Sequence, residues 1–152
     1  MANQSTTAHG ARREALLSGL VDGTGDIAAG NLTITPERQK RIDFSIPSSK
    51  EIFEIVVTGP ASPKLAKVDD LAGQEVHVRR SASYHDSLVR LNRSFVARGL
   101  RPVKIVLVPD ALEDEDMMDM LGAGLLELIV VDDWKAKLWA GLLPQVKARE
   151  DL

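Results

Sequence analysis

The stretch EVHVRRSASYHDSLVRLNRSFVARGLRPVKIVLV, residues 75–108, changes its periodicity twice. Its two ends, EVHVRR and VKIVLV, are short, apolar and rich in β-branched residues, which is typical of strands. Between them one apolar stripe recurs at helical spacing: Tyr84, Leu88, Leu91 and Phe95. Gly99 then fits the position of a helix C-terminal stop. The stretch therefore predicts a strand–helix–strand unit.

The same rhythm continues toward the C-terminus. PDALEDEDMMDMLGAGLL predicts a helix that begins near Ala111, and ELIVVDD predicts a strand over Glu127–Val131. WKAKLWAGL predicts a last helix. The order β-α-β-α-β-α is typical of an α/β protein with a parallel-rich sheet, helices covering it and right-handed crossovers.

The upstream part is less regular. Residues 11–21 predict a helix, DIAAG at residues 26–30 a short buried strand, and IFEIVVTG at residues 52–59 a strand buried on both faces. Residues 60–74 contain two prolines and a glycine, so we interpret them as a linker with a short helical turn. We therefore place one part at residues 1–60, with residues 1–10 disordered, and a second part at residues 61–152.

Composition excludes several classes of protein. The 152 residues are 44% hydrophobic and 27% charged with a net charge of -3, which is a globular composition and not that of a nucleic-acid protein. Without cysteine there are no disulfides, thiolate metal sites or cysteine nucleophiles, and the histidines show no metal spacing. No apolar run is long enough to span a membrane and no signal peptide is present, so the protein is either cytoplasmic or lacks its native start.

A basic segment, NLTITPERQKRIDFS at residues 31–45, contains a helix start with a misplaced cation. Thr35 is a good N-cap and Pro36 fits the first helical position. Arg38 lies in the same turn, where a positive charge opposes the helix dipole. Conflicts of this kind often mark functional positions, and an arginine can hold a carboxylate through two parallel hydrogen bonds.

Two polar residues upstream extend this candidate anion site. Asn31 and Thr33 could offer amide and hydroxyl groups to the ligand that Arg38 holds. The alternative is a solvated basic turn, in which Arg38 pairs with Glu37, Asp43 or another surface acid.

A second candidate site is the loop that follows the strand EVHVRR. Ligands of parallel α/β sheets lie outside the carboxyl ends of the strands, and Ser81, Ala82 and Ser83 fall there. The two serines could bind a polar ligand or act as plain N-caps. Ser83, His85 and Asp86 include the residue types of a hydrolytic triad, but neighbours on one helical turn do not assemble its geometry.

Acidic residues follow the other two predicted strands. Asp132 and Asp133 end a buried strand, where one of them could accept hydrogen bonds from an ammonium group; the alternative is helix capping. The acidic run at residues 110–119 lacks the glycine and ligand spacing of a calcium loop, so we interpret it as a solvated helix face. The buried face of that helix is predicted to contain Met117, Met120, Leu121 and Leu125.

Five segments carry a resemblance to a known family. They are GTGDIAAGNLTITPERQKRIDFS, IFEIVVTG, DLAGQEVHV, SASYHDSLVRLN and EDEDMMDMLGAGLLELIVVDDW, in this order over roughly residues 12–146. TPER followed by DFS is the most specific. The chain resembles the family 3 periplasmic solute-binding proteins of the amino-acid-binding type, and is closest to the solute-binding module of proteins of the membrane-bound lytic transglycosylase F type.

The resemblance implies two α/β lobes around a hinge, with an amino acid or related carboxylate bound between them for transport or sensing. It implies no catalytic residue, metal or cofactor. In the amino-acid binders, the arginine matching Arg38 holds the ligand carboxylate, and residues matching Asn31 and Thr33 assist. The loop matching residues 81–83 faces the ligand from the other lobe, and the aspartate matching Asp133 takes its amino group. Partners would be a membrane permease of an ABC transporter or a fused lytic domain, in the periplasm.

The chain also departs from the family pattern. The strand–helix–strand segment that usually precedes residue 12 is absent, as is the return of the chain into the first lobe, and Ser48 stands where the family often has tyrosine. We therefore expect one incomplete lobe and one nearly complete lobe. Exposed sheet edges in the incomplete lobe would favour a homodimer.

Two other functions share this fold. One is a regulatory module of a lytic transglycosylase that binds peptidoglycan fragments, and it requires a catalytic domain elsewhere in the protein. The other is a dehydratase-type enzyme acting on small carboxylic acids, for which His85 and Glu37 are the acid–base candidates.

Overall fold

A computed structural model describes residues 13–30 and 32–152 of the chain. The chain divides into two units, residues 1–47 and residues 48–152. This division lies ahead of the boundary expected after residue 60, because the strand at Glu54–Thr58 pairs with strands of the second unit. The disorder predicted for residues 1–10 concerns positions outside the described residues.

The first unit contains two helices in its described part, α1 (Arg13–Val21) and α2 (Pro36–Gln39). Helix α1 confirms the helix predicted over residues 11–21. The strand predicted at residues 26–30 is wrong: these residues form neither helix nor strand, and the side chain of Ile27 is 89% exposed. Because a strand is stabilised by its neighbours, a short apolar run with no partner strand stays irregular.

The buried hydrophobic core of the described residues lies in the second unit. Among residues 15–30 and 32–47, no side chain is fully buried. The core residues all fall between Ile55 and Val146. No helix in the described part of the chain has the length and apolar character needed to cross a membrane.

The second unit is built on a five-stranded sheet of order β3-β2-β4-β1-β5. Its strands are β1 (Glu54–Thr58), β2 (Glu75–Arg79), β3 (Lys104–Val108), β4 (Leu128–Asp132) and β5 (Lys147–Arg149). A 3-10 turn at Val68–Leu71 precedes β2. Three helices alternate with the strands: α3 (Ser83–Ala97), α4 (Asp114–Gly122) and α5 (Asp133–Leu142).

The direction of the strands confirms the parallel-rich α/β sheet. Strand β2 pairs in parallel with both β3 and β4. Strand β1 runs antiparallel to its two neighbours, β4 and β5, so it alone opposes the other strands. Strand β1 is buried over Ile55–Thr58, as its continuous apolar run predicted. The sequence did not predict β5 or the reversed direction of β1.

The helices pack on the sheet through the stripes that the sequence predicted. In α3, Tyr84, Leu88 and Phe95 are buried, and Gly99 has a φ of 73° just after the helix end. Helix α4 begins at Asp114 and not near Ala111. Leu125 is 69% exposed, so its predicted place in the buried face of α4 is wrong. It lies beyond the end of the helix, where helical spacing no longer sets its direction.

Candidate functional site

Two neighbouring strands bring their following loops to one edge of the sheet. Strands β2 and β4 are parallel, with His77 opposite Ile129. Strand β2 ends at Arg79 and β4 ends at Asp132. The loop after Arg79 and the first turn of α5 therefore lie at the same carboxyl edge, where ligands of parallel α/β sheets bind.

The loop at residues 80–82 is held by its own backbone and by one side chain. The Ala82 N–H donates to the Arg79 carbonyl at 3.2 Å. The Ser81 hydroxyl donates to Asp110 Oδ1 at 2.8 Å, which ties the loop to the one that follows β3. Ala82 occupies the N-cap position of α3, and the buried Ser83 begins the helix. Neither serine therefore stands at the N-cap position, which was the alternative reading of this loop.

Asp133, the first residue of α5, has one carboxylate oxygen with no hydrogen-bond partner among the described residues. Its N–H donates to the Phe53 carbonyl at 2.8 Å. Its Oδ2 lies 3.7 Å from Lys137 Nζ. Its Oδ1 is buried and accepts no hydrogen bond from the described part of the chain. A buried acceptor without a donor costs free energy, so this oxygen suits a donor on a bound molecule.

Behind this edge lies a cluster of buried charges, the Asp114 cluster: Arg79, Asp114 and Lys135, with Glu113 at its rim. Arg79 Nη1 donates to Glu113 Oε2 at 2.7 Å, and its Nη2 donates to Asp114 Oδ1. Lys135 Nζ donates to Asp114 Oδ2. Asp114 is only 1% exposed, so the solvated face expected for the acidic run is wrong at this residue. Both of its cationic partners are far away in sequence, which is why the pattern did not reveal it.

The charges of the Asp114 cluster raise the pKa of one of its own members, Arg79, and of one neighbour, Tyr84. Burial lowers the pKa of Arg79, but the charges of Asp114 and Glu113 outweigh burial and raise that pKa above its ordinary value. Burial, then the carboxylates of Asp114 and Asp132, raise the pKa of the Tyr84 hydroxyl. The hydroxyl oxygen of Tyr84 also accepts from the Asp132 N–H at 3.2 Å. Tyr84 therefore stays neutral and links α3 to the end of β4.

In the first unit, the predicted helix start is confirmed and Arg38 has a defined orientation. The Thr35 hydroxyl accepts from the Arg38 N–H at 3.2 Å, as expected of an N-cap. The Arg38 guanidinium donates to the Thr33 carbonyl at 2.7 Å. Thr33 and Arg38 are thus in contact, through the backbone of Thr33 and not its hydroxyl. Asn31 lies outside the described residues.

The model of the bacterial extracellular solute-binding proteins, family 3, matches residues 8–142. The chain belongs to this family. This confirms the resemblance carried by TPER, DFS and the other four segments, and it supports a role in binding a solute.

One relative in this family is the membrane-bound lytic murein transglycosylase F of Ectopseudomonas mendocina (strain ymp). It is 28% identical over 134 residues, which are 88% of this chain and 26% of that protein. The chain thus spans about a quarter of that relative's length.

Solved structures share the fold. A structure from work on glutathione import via GshT and the cystine ABC importer TcyBC of Streptococcus mutans aligns with a TM-score of 0.77 at 18% identity. That alignment covers 92% of this chain and 56% of that one. An ancestral arginine-binding protein bound to arginine aligns with a TM-score of 0.72 at 22% identity, over 91% of this chain and 57% of that one. At these identities the likeness shows the family fold.

Proposed function

We propose that this chain binds a small solute, an amino acid or a related carboxylate, and catalyses no reaction. The observation that carries the proposal is the buried Oδ1 of Asp133 at the carboxyl edge of the sheet, which accepts no hydrogen bond from residues 13–30 or 32–152. An ammonium group on the solute would supply the missing donor and the opposite charge. The solute-binding family and the amino acids bound by neighbours of the same fold support this choice.

The proposal assigns the amino group of the solute to residues of the second unit and its carboxylate to residues of the first. Asp133 takes the amino group, and Ser81, Ala82 and Ser83 offer polar groups from the loop beside it. Arg38, with Asn31 and Thr33, takes the carboxylate. A solute that carries both charges gains free energy from each of these contacts.

Isothermal titration calorimetry with L-arginine, L-glutamine and L-glutamate tests the proposal directly. If one of them binds, Asp133→Asn should weaken it about tenfold or more, since hydrogen bonds to charged groups contribute roughly 1.5–3 kcal/mol. Asp119→Asn, at an exposed position of α4, is the matched control and should leave the affinity unchanged. An unchanged affinity in Asp133→Asn would remove the basis of the proposal.

Arg38 is tested in the same titration. Lysine keeps the charge but cannot form two parallel hydrogen bonds to a carboxylate, so Arg38→Lys should also weaken binding about tenfold. Arg41→Lys, at an exposed position just after α2, is its control. Equal affinities for the two variants would show that Arg38 does not hold the carboxylate.

A second candidate is the binding of peptidoglycan fragments in a regulatory module. It is favoured by the similarity to a murein transglycosylase, a relative almost four times longer than the matched region. In that case a muropeptide that carries free amino and carboxylate groups should bind in calorimetry more tightly than any single amino acid. Equal or weaker muropeptide binding would leave transport or sensing of amino acids as the function.

The same proposal includes the cellular location and the partners of the protein. We place it in the periplasm, where it would serve a membrane permease of an ABC transporter or a fused lytic domain. A homodimer through exposed sheet edges belongs to the proposal as well. Fractionation of cells that make the full-length protein tests the location, and recovery with the cytoplasmic fraction would contradict it.

A further inference from the structure

The carboxylate of Asp114 joins three elements that are distant in sequence. Arg79 is the last residue of β2, Asp114 the first residue of α4, and Lys135 lies in the first turn of α5. Asp114 accepts a hydrogen bond from Arg79 on one oxygen and from Lys135 on the other. All three residues are at most 4% exposed. One buried anion therefore fixes two buried cations relative to each other.

A candidate solute-binding group lies close in sequence to each of the two cations. Arg79 is covalently continuous with the loop at residues 80–82 and accepts the Ala82 N–H on its carbonyl. Lys135 is two residues from Asp133 on the same helical turn. A shift of either cation would move the loop or the Asp133 carboxylate. The bond between Ser81 and Asp110 is a second tie between the loop and the chain that leads into α4.

The charged composition of the Asp114 cluster indicates that its main role is to orient the elements that it joins. Desolvating three charges is costly, and apolar residues of similar volume usually stabilise a core as well or better. The Nε of Arg79 is buried without a hydrogen-bond partner among the described residues, which adds to that cost. Charged groups with directional hydrogen bonds, unlike apolar packing, fix both distance and angle.

We propose that Asp114 is a positioning residue of the solute site. By holding Arg79 and Lys135 together, it sets the separation between the loop at residues 80–82 and the first turn of α5. Asp114 thereby raises the affinity of the site for the solute without contacting the solute. This inference rests on the proposed function for its effect on affinity, and on the geometry of the Asp114 cluster alone for its effect on the loop.

Three variants separate positioning from stability. Asp114→Asn leaves two buried cations with less compensation, so the urea midpoint should fall and amide hydrogen exchange should speed up at residues 80–83 and 132–136. Asp114→Asn/Lys135→Met removes the extra cation, while Glu113 still pairs with Arg79, so the midpoint should recover. Exchange at residues 80–83 should stay fast in this double variant. Lys135→Met alone should speed exchange at residues 132–136 only.

Binding of L-arginine is the functional measurement for the same three variants. The double variant should bind it about tenfold more weakly than the original chain although its midpoint has recovered. Recovery of the midpoint, the slow exchange and the affinity together would overturn the proposal, as would exchange that rises evenly over the whole sheet. If Asp114→Asn does not fold, the double variant and Lys135→Met give the same comparison.

The two proposals fail in distinguishable ways. If the original chain binds none of the amino acids tested, the proposed function fails, and the exchange data still decide whether Asp114 positions the loop. If the original chain binds L-arginine and the double variant binds it equally well, the proposed function stands and the positioning role of Asp114 is wrong.

Discussion

The side-chain amide of Asn92 pairs with both backbone polar groups of Val103. Its Nδ2 donates to the Val103 carbonyl at 2.9 Å, and its Oδ1 accepts from the Val103 N–H at 2.7 Å. Asn92 lies on α3, and Val103 is a buried residue directly before β3. A helix side chain thus fixes where the strand begins.

Replacing Asn92 by leucine should destabilise the protein by about 2–3 kcal/mol. The substitution keeps the number and branching of the side-chain heavy atoms but leaves a buried N–H and a buried carbonyl unsatisfied. The decrease should appear as a lower urea midpoint at constant m-value. Ser94→Ala, at an exposed position of the same helix, should stay within about 0.5 kcal/mol. A midpoint for Asn92→Leu as high as that of the control would show that the pairing contributes little.

Replacing Gly59 and Gly141 by alanine should have opposite effects on the stability of the protein. A Cβ on Gly59 would meet the backbone carbonyl oxygen of Leu121, which cannot rotate away. Gly59→Ala should therefore cost about 1–3 kcal/mol through overpacking. A Cβ on Gly141 would meet nothing within 4 Å on helix α5, so Gly141→Ala should stabilise by about 0.5–1 kcal/mol. Thermal denaturation of both variants measures the difference, and equal effects would contradict the close approach of Gly59 to the Leu121 backbone.

The pKa of Tyr84 predicts a loss of stability in alkali. Burial and the nearby carboxylates raise this pKa, so the folded chain keeps its proton above the ordinary value of about 10, where the unfolded chain loses it. The stabilisation is complete below about pH 10 and falls as pH rises further, by about 1.4 kcal/mol per pH unit.

Absorbance measures this titration without interference from another tyrosine. Tyr84 is the only tyrosine of the chain, so the tyrosinate signal reports on it alone. It should appear only as the protein unfolds. Tyr84→Phe should lack the part of the alkaline loss that belongs to this group. A tyrosinate signal with a midpoint near pH 10 in the folded protein would contradict the buried position of the hydroxyl.

The described residues of the first unit, where exposed sheet edges were expected, contain no strand, so the test of the proposed homodimer uses the edge strand β3 of the second unit. Strand β3 stands at one end of the sheet order, and its Leu107 is 46% exposed. If copies pair through this edge, Leu107→Lys should convert the dimer to a monomer, because a charge on an edge strand opposes pairing. Size-exclusion chromatography with light scattering distinguishes the two states. A monomer before any substitution would show that the homodimer proposal is wrong.

Local signals allowed much of the second unit to be predicted. The stripe of α3 and the glycine at its end depend on residues within a few positions of one another, and both are confirmed. The N-cap at Thr35 is confirmed for the same reason. The regular alternation of strands and helices after residue 75 determined the parallel part of the sheet, since crossovers follow general rules.

Features that depend on distant partners could not be predicted in the same way. Strand β5 is only three residues long, and it exists because it pairs with β1. The burial of Asp114 depends on Arg79 and Lys135, which lie 35 and 21 residues away. Within an acidic run, no local property distinguishes a carboxylate that has such partners from one that faces water.

Strand β1 lies between β4 and β5, and this order has a consequence for synthesis of the chain. Val56 is paired with Val130 on one side and with Arg149 on the other. Because the ribosome releases the N-terminal part first, the apolar segment around Val56 is made well before β4, and earlier still before β5, so neither neighbour exists when it emerges. During that interval its backbone groups are open to wrong partners, and a chaperone that shields the nascent segment would have its greatest effect there.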